Sequence, residues 1–213
     1  FLPKNAVIFD IGANVGTFLY QLENKLVSDN IYAFEPNKKL YRRLKRLFPS
    51  MRVLPLALSD ENTTAEFKVP VINGKMIASR GTLNTTYKEK GEEKSYTEKV
   101  KVIKLDDWAA IEHFTKLDFI KIDVEGSEMK TLNGAKKIIQ QFLPTLMVEM
   151  EQRHHETPIW NEISEVESWG YDAKYLNRHT FGLEKLTEEI LIKNTNDEKN
   201  KTEYINNIIF IPK

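Results

Sequence analysis

A chain of 213 residues, 41% hydrophobic and 29% charged, is long enough to bury one core and too short for two generous domains, so a single domain over 1–213 is expected. Its 31 basic and 31 acidic residues cancel, which removes the field that sequence-independent nucleic-acid binding needs, and nucleic acid is not an expected partner. The absence of cysteine excludes disulfides, thiolate nucleophiles and cysteine zinc sites. No apolar run approaches the roughly 20 residues of a membrane helix and no charged segment leads into a signal core, so a cytoplasmic protein without a membrane span is expected. The start at Phe1-Leu2-Pro3, with no initiator Met, leaves room for a missing N-terminal segment.

Along the chain, Val7-Ile8-Phe9-Asp10 is an apolar run ended by an acid and glycines, and Phe18, Leu19, Leu22 and Leu26 follow at helical spacing. Strand, turn and helix follow from that pattern. Ile31-Tyr32-Ala33-Phe34-Glu35 predicts a second strand, and Leu40, Tyr41, Leu44, Leu47 and Phe48 a basic amphipathic helix after it. A third strand is expected over Val53–Leu58 and a fourth over Leu117–Asp123, and a helix at 127–141 leads to a fifth at Thr145–Glu149. Residues 60–105 break this rhythm: Ala65–Val69 and Lys99–Ile103 alternate apolar and polar at period two, which predicts an antiparallel excursion around a long loop at 70–97. A helix at 159–169, a strand near Gly170–Ala173 and a last strand at Asn207–Ile211 close the chain, with the polar run 193–203 read as a mobile loop. Strands that are apolar nearly throughout and alternate with helices predict an α/β, Rossmann-like fold. The expected sheet is mostly parallel and seven-stranded, with helices on both faces and an antiparallel C-terminal strand.

The turn Asp10-Ile11-Gly12-Ala13-Asn14-Val15-Gly16-Thr17 follows a strand and opens a helix, the setting in which a glycine motif is informative. Gly12 and Gly16 permit unusual φ and close approach of a ligand, and the helix start offers N–H groups and a positive dipole end to a carboxylate. A dinucleotide site needs the three-glycine fingerprint, whereas this turn has Asn14 and Gly16 and is preceded by an acid. Asp10 would repel a pyrophosphate but suits the ammonium of an amino-acid moiety. Glu35 ends the second strand 25 residues later, where a carboxylate takes both hydroxyls of a ribose; either acid alone also reads as a cap for the next helix. Residues 1–60 are therefore the expected cofactor-binding half. Asp123, Glu125 and Glu128 gather at the end of a central strand, where open α/β sheets bind ligands, although Glu128 also reads as a first-turn acid that complements a helix dipole. Asp123 ends an apolar strand, so it must find a partner or face the crevice.

Phe9-Asp10-Ile11-Gly12-Ala13-Asn14-Val15-Gly16, Ala33-Phe34-Glu35-Pro36, Ala57-Leu58-Ser59-Asp60 and Lys121-Ile122-Asp123-Val124-Glu125-Gly126-Ser127-Glu128 resemble the FkbM-type methyltransferases, over about residues 7–151. The resemblance implies S-adenosylmethionine-dependent O-methylation, commonly on sugars or natural-product hydroxyls, on a class I fold. It implies that Gly12 and Asn14 lie along the methionine part of the cofactor, that Glu35 takes the ribose, that Ser59 or Asp60 lies near the adenine, and that Asp123 faces the transferring methyl. Beyond 151 the resemblance is loose. Loops 70–97 and 152–185 are the expected acceptor-binding segments, for a small molecule or a glycan.

A methyl leaves a sulfonium by in-line displacement, and holding the acceptor oxygen about 3 Å away lowers much of the barrier. An alcohol must also lose its proton. Candidates for the base are Glu149, Glu151, His154 and His155, directly after the fifth strand; His154 leads because imidazole titrates near neutral pH, and Asp123 and Glu149 complete the expected catalytic set. Asp123, Glu125, Glu149 and Glu151 also read as oxygen ligands for a divalent metal, although none is expected. Lys38, Lys39, Arg42, Arg43, Lys45 and Arg46 read as the wet face of a helix, whose charge would also attract a phosphorylated acceptor. Trp108, Trp160 and Trp169 read as core or hinge anchors. Two other functions stay open on the residues: a nicotinamide-dependent oxidoreductase on the same architecture, and a non-catalytic nucleotide- or partner-binding module.

Overall fold

The first apolar run forms β1 (Ile8–Ile11), buried along its whole length, and the glycine turn behind it opens α1 (Thr17–Leu22). This computed structural model describes residues 2–195 and 204–213. The same unit repeats as β2 (Ile31–Phe34) and α2 (Lys38–Leu47). Asn37 starts α2: its side-chain oxygen accepts from the N–H groups of Lys39 and Leu40 at 3.1 and 3.0 Å, satisfying two of the donors that a helix start leaves open. Burial of Leu40 and Leu44 then turns the basic residues outward.

The strand expected over 53–58 is two strands. β3 (Arg52–Leu54) stays in the main sheet, while β4 (Leu56–Leu58) joins a second one, and Pro55 stands at the break because a residue without an N–H cannot continue the ladder. The excursion is a long antiparallel hairpin of β5 (Thr63–Ile72) and β7 (Glu92–Ile103), with β6 (Lys75–Met76) near its tip. The loop expected over 70–97 therefore shrinks to the stretch 73–91 that holds β6. Residues 93–97 are exposed on both faces of the ribbon, which erases the alternation that would have marked a strand.

Alternation resumes with α3 (Leu105–Glu112), β8 (Phe119–Ile122), α4 (Glu128–Gly134), α5 (Lys136–Phe142), β9 (Thr145–Glu149), α6 (Ile159–Ser168), β10 (Tyr171–Leu176), β11 (Leu183–Lys185), α7 (Glu188–Thr195) and β12 (Asn207–Pro212). The single helix expected over 127–141 breaks at Ala135, whose ψ of 4° leaves helical geometry. Of the polar run 193–203, residues 193–195 belong to α7; the rest of that expected mobile loop lies outside the described residues.

The main sheet has the order β11-β10-β12-β9-β8-β1-β2-β3, parallel from β9 to β3 and antiparallel where β12, β10 and β11 join. This is the expected α/β arrangement with eight strands instead of seven, because the short, largely exposed Leu183–Lys185 adds an edge strand without an apolar signal. Helices cover both faces: Ile8 shares one core with Leu19 and Leu44, whereas Phe9 and Ile11 share the other with Leu132, Ile139 and Ile163. Phe9 meets Tyr32, Phe34, Trp108 and Phe114 edge-on, with centroids 5.1 to 5.9 Å apart. Its truncation to Ala is a loss of about 3–5 kcal/mol. Trp108 and Trp169 act as core anchors, the latter under Lys136, whose Nζ lies 4.5 Å from the ring centroid. Among the described residues no helix is long and apolar enough to cross a membrane.

Candidate active site

The chain runs outward from β1 to β3 and re-enters the sheet at β8 on the other side of β1, so strand order reverses between β1 and β8. Open α/β sheets bind ligands in the crevice at such a reversal, outside the C-terminal ends of the strands. Asp10, the turn after it and Asp123 all reach that crevice by their positions on these two strands. Gly12 has φ 81° and Gly16 φ 87°, values that strain any residue with a Cβ. A Cβ on Gly12 would lie 1.9 Å from the Asp123 carbonyl oxygen, and one on Gly16 would lie 2.7 Å from Leu44. Both glycines are thus required by packing of the turn against the end of β8 and against α2. The turn's N–H groups are also engaged within the protein: Gly12 and Ala13 donate to the Phe34 carbonyl at 3.0 and 3.1 Å, and Asn14 donates to Glu35 Oε2 at 2.7 Å.

Glu35 is buried, and its Oε1 accepts from the Asn37 N–H at 2.8 Å. It therefore ties the glycine turn to the start of α2 while also lining the cavity beside them. Burial pushes its carboxyl up to about 7, against the pull of the two backbone donors. The cavity runs from Glu35, Phe34 and Leu56 to Gly12, Asn14 and Asp123. Phe67 and Gly81 of the hairpin region close another side, so the cavity draws on residues beyond the expected 1–60 half.

Asp10 is fully buried, and neither carboxylate oxygen has a hydrogen-bond donor. Lys121 Nζ lies 3.7 Å from its Oδ1 and donates to Asp123 Oδ2 at 2.9 Å. Burial pushes Asp10 up to about 6 despite this ammonium. Burial also pulls Lys121 down, yet Asp10 and Asp123 outweigh it and hold the lysine above its usual value. Two carboxylates thus share one cation, which leaves the turn electrostatically suited to a second one.

Acid accumulates beyond β8 and β9. Glu149 follows Val148, which pairs with Ile122, and so stands beside Asp123. Burial, reinforced by Asp123, Glu151 and Glu125, pushes its carboxyl up to about 8, and its Oε1 accepts from Asn206 Nδ2 at 2.6 Å. Glu151 accepts from the Tyr204 hydroxyl at 2.9 Å and pairs with Arg153, whose guanidinium also reaches Glu89 and Glu125. His154 is 4% exposed, with Nε2 3.0 Å from Glu125 Oε2 and its ring 4.6 Å from that of Tyr87. His155 lies between Glu128 and Glu162, at 3.6 and 2.9 Å, and those two carboxylates raise it to about 9, so it anchors the turn as an imidazolium. Among the described residues, the groups that converge closely enough to hold a metal ion are Glu89, Glu125 and His154, within 4.8 Å of one another, and not the four acids that the sequence offered as an alternative. Arg153 already supplies positive charge there.

The structure therefore gathers Asp10, Gly12, Asn14, Gly16, Glu35 and Asp123 around one turn, with Glu149 alongside. Ser59 is buried and Asp60 exposed; a 3.2 Å hydrogen bond joins them, and neither lines the cavity that Leu56, Ala57 and Leu58 border. Asp10, Gly16, Glu149 and His154 are likewise absent from that lining. Lys121, Glu89 and Arg153 were not expected at the site. A lysine inside the strand Phe119–Ile122 was a legible signal, because an ammonium in an apolar strand must find an anion. Glu89 and Arg153 carried no such signal, since they meet across 64 residues of chain.

Residues 10–181 match the methyltransferase FkbM domain. The chain belongs to the FkbM methyltransferase family. The match continues past residue 151, through much of the segment where the motif resemblance was loose. Methyltransferase sdnD of Sordaria araneosa is 26% identical over 186 residues, which cover 70% of this chain and 67% of that protein. The hexuronic acid methyltransferase AglP of Haloferax volcanii is 28% identical over 139 residues, 64% of this chain and 53% of AglP. The solved FkbM methyltransferase from Methylobacillus flagellatus superposes on 99% of this chain with a TM-score of 0.60 at 15% identity, while the chain spans 44% of that protein. The family's shared fold is thus present here within a shorter span, and nothing supports the nicotinamide oxidoreductase.

Proposed function

We propose that this chain transfers the methyl group of S-adenosylmethionine to a hydroxyl of a sugar, glycan or glycosylated metabolite. The observation that carries the donor half is one cavity bordered by Glu35 and apolar side chains at one end and by Asn14 and Asp123 at the other. The residues present fit the group. Glu35 is placed to accept from ribose hydroxyls, Phe34, Leu56 and Leu58 offer apolar surface to an adenine, and Asp10, buried with no hydrogen-bond donor on either oxygen and sharing Lys121 with Asp123, favours an ammonium near the turn. When bound, S-adenosylmethionine supplies an electrophilic methyl on a positively charged sulfur.

The rest of the chemistry falls to the chain's own side chains. Asp123, held at Oδ2 by Lys121 and 28% exposed, presents negative charge to the crevice where a sulfonium is favoured. Glu149 is the proposed base: it is only partly buried, it neighbours Asp123, and its carboxyl at about 8 gives it proton affinity suited to an acceptor hydroxyl near neutral pH. His154, the leading base by sequence, is packed against Glu125 and Tyr87 and is better suited to positioning Glu125. The name of the hexuronic acid methyltransferase supports a carbohydrate acceptor.

Calorimetry with S-adenosylmethionine, S-adenosylhomocysteine and NAD tests the donor. Binding of the two sulfur ligands without NAD is expected; the reverse overturns the reading. Mass analysis of a glycan and metabolite panel after incubation with the donor then identifies the acceptor by the gain of one methyl.

A further inference from the structure

Helix α2 and the β5/β7 hairpin flank a second hollow, a groove of about 690 Å³ that shares Ala78 with the cofactor cavity. Lys38, Lys39, Arg42, Arg43 and Arg46 line one wall. The opposite wall presents Met76 and Tyr96, which are 52% and 51% exposed. Glu98 is the one acid on the lining, and its Oε1 accepts the backbone N–H of Lys38 at 3.3 Å. Among the described residues none of the five cations makes a salt bridge, although the whole chain holds as many acids as bases. Arg43 bonds only to a carbonyl, that of Val15, at 2.6 Å. Five like charges side by side along a concave wall raise the local potential for an anion, and arginine forks match carboxylates as they match phosphates.

We propose that this groove binds an anionic carbohydrate, a chain of sugars bearing carboxylate groups, beside the cofactor cavity. The tyrosine ring, which has Lys94 Nζ 5.6 Å from its centroid on one side, and the methionine offer surface to the apolar faces of sugar rings while the cations meet the carboxylates. A bilayer does not fit a concave wall, and single-stranded nucleic acid calls for a series of stacking rings where this lining has one. The acid-rich crevice around Glu149 repels the same carboxylates, so the groove is where their charge is held. The groove deepens the proposed acceptor class and rests on that reading only for its purpose, because the binding itself needs no methyl donor.

The test is calorimetric titration of the protein with an oligogalacturonide and with a neutral malto-oligosaccharide of equal length, in low and in high salt. The acidic oligosaccharide is expected to bind, to weaken as salt is added, and to exceed the neutral one. Arg42→Glu with Arg46→Glu is expected to weaken it about tenfold or more while S-adenosylmethionine affinity is kept. If that variant fails to fold, Arg42→Gln with Lys39→Gln is expected to show a smaller loss in the same direction. Equal binding of the neutral oligosaccharide, unchanged affinity in folded charge variants, no detectable binding, or stronger binding of polyuridylate or of phosphatidylglycerol vesicles overturns the proposal. S-adenosylmethionine binding in the same preparation separates this failure from failure of the methyl-transfer reading.

Discussion

The crevice beyond β8 and β9 and the groove along α2 lie on different sides of one cavity and carry opposite charge. In the crevice, Asp10, Asp123, Glu125, Glu149 and Glu151 are partly or wholly buried, and Lys121 and Arg153 are each divided among several of them. In the groove, the five cations of α2 on the lining make no salt bridge among the described residues. The contrast teaches that burial decides what a charge can do. Buried acids compete for few cations, and burial raises the carboxyls of Asp10 and Glu149, which suits proton transfer; exposed cations act through a field that salt screens, which suits recruitment. A net charge of zero for the whole chain describes neither region.

Breaking the buried side has the larger expected effects. Lys121→Met leaves Asp10 and Asp123 without their shared cation and is expected to lower unfolding free energy by about 3–5 kcal/mol, read by urea denaturation. Loss of less than one kcal/mol would mean that solvent already neutralises these acids. Glu149→Gln is expected to reduce methyl transfer by about 10²- to 10⁴-fold with donor affinity retained, whereas His154→Ala is expected to change it far less. Equal losses in single-turnover assays would return the base to His154.

The protonation of Glu149 sharpens the same comparison. Its carboxyl rises from 4.5 in the unfolded chain to about 8 in the folded one, so the folded state binds more protons between those values. Its contribution to stability is therefore present at low pH and lost as pH rises toward 8. Thermal melts of Glu149→Gln should fall less over that window than those of the parent, and the parent's turnover should climb through about pH 8 while the variant's stays flat. Arg42→Ala sits at the small end: stability is expected to stay within about 0.5 kcal/mol, with only the salt dependence of binding to acidic oligosaccharides reduced.

Much of the proposed donor side was legible from residues close together in sequence. Asp10, Gly12 and Asn14 lie in one turn, and Glu35 closes the next strand, so apolar runs and glycines locate them before any tertiary contact is known. The proposed base was less legible because its merit depends on surroundings. His154 and Glu149 lie five residues apart, yet one is packed under Glu125 and Tyr87 while the other stands half-open beside Asp123. The hairpin at 63–103 shows the same limit: residues 93–97 of β7 are exposed on both faces, so their strand character comes from pairing with β5 and not from alternation.

What the sequence by itself determined is the α/β alternation, the crevice-forming turn and the acids at the ends of β1, β2 and β8, since strand period, glycine φ and strand-end position are local properties. Only the tertiary structure decided that Pro55 sends the chain into a second sheet, that Lys121 is shared by Asp10 and Asp123, that Arg153 joins Glu89, Glu125 and Glu151, and that the basic face of α2 walls a groove. Each of these joins residues far apart in the chain or sets the burial of a charge, and a charge's partners and burial exist only once the chain has folded.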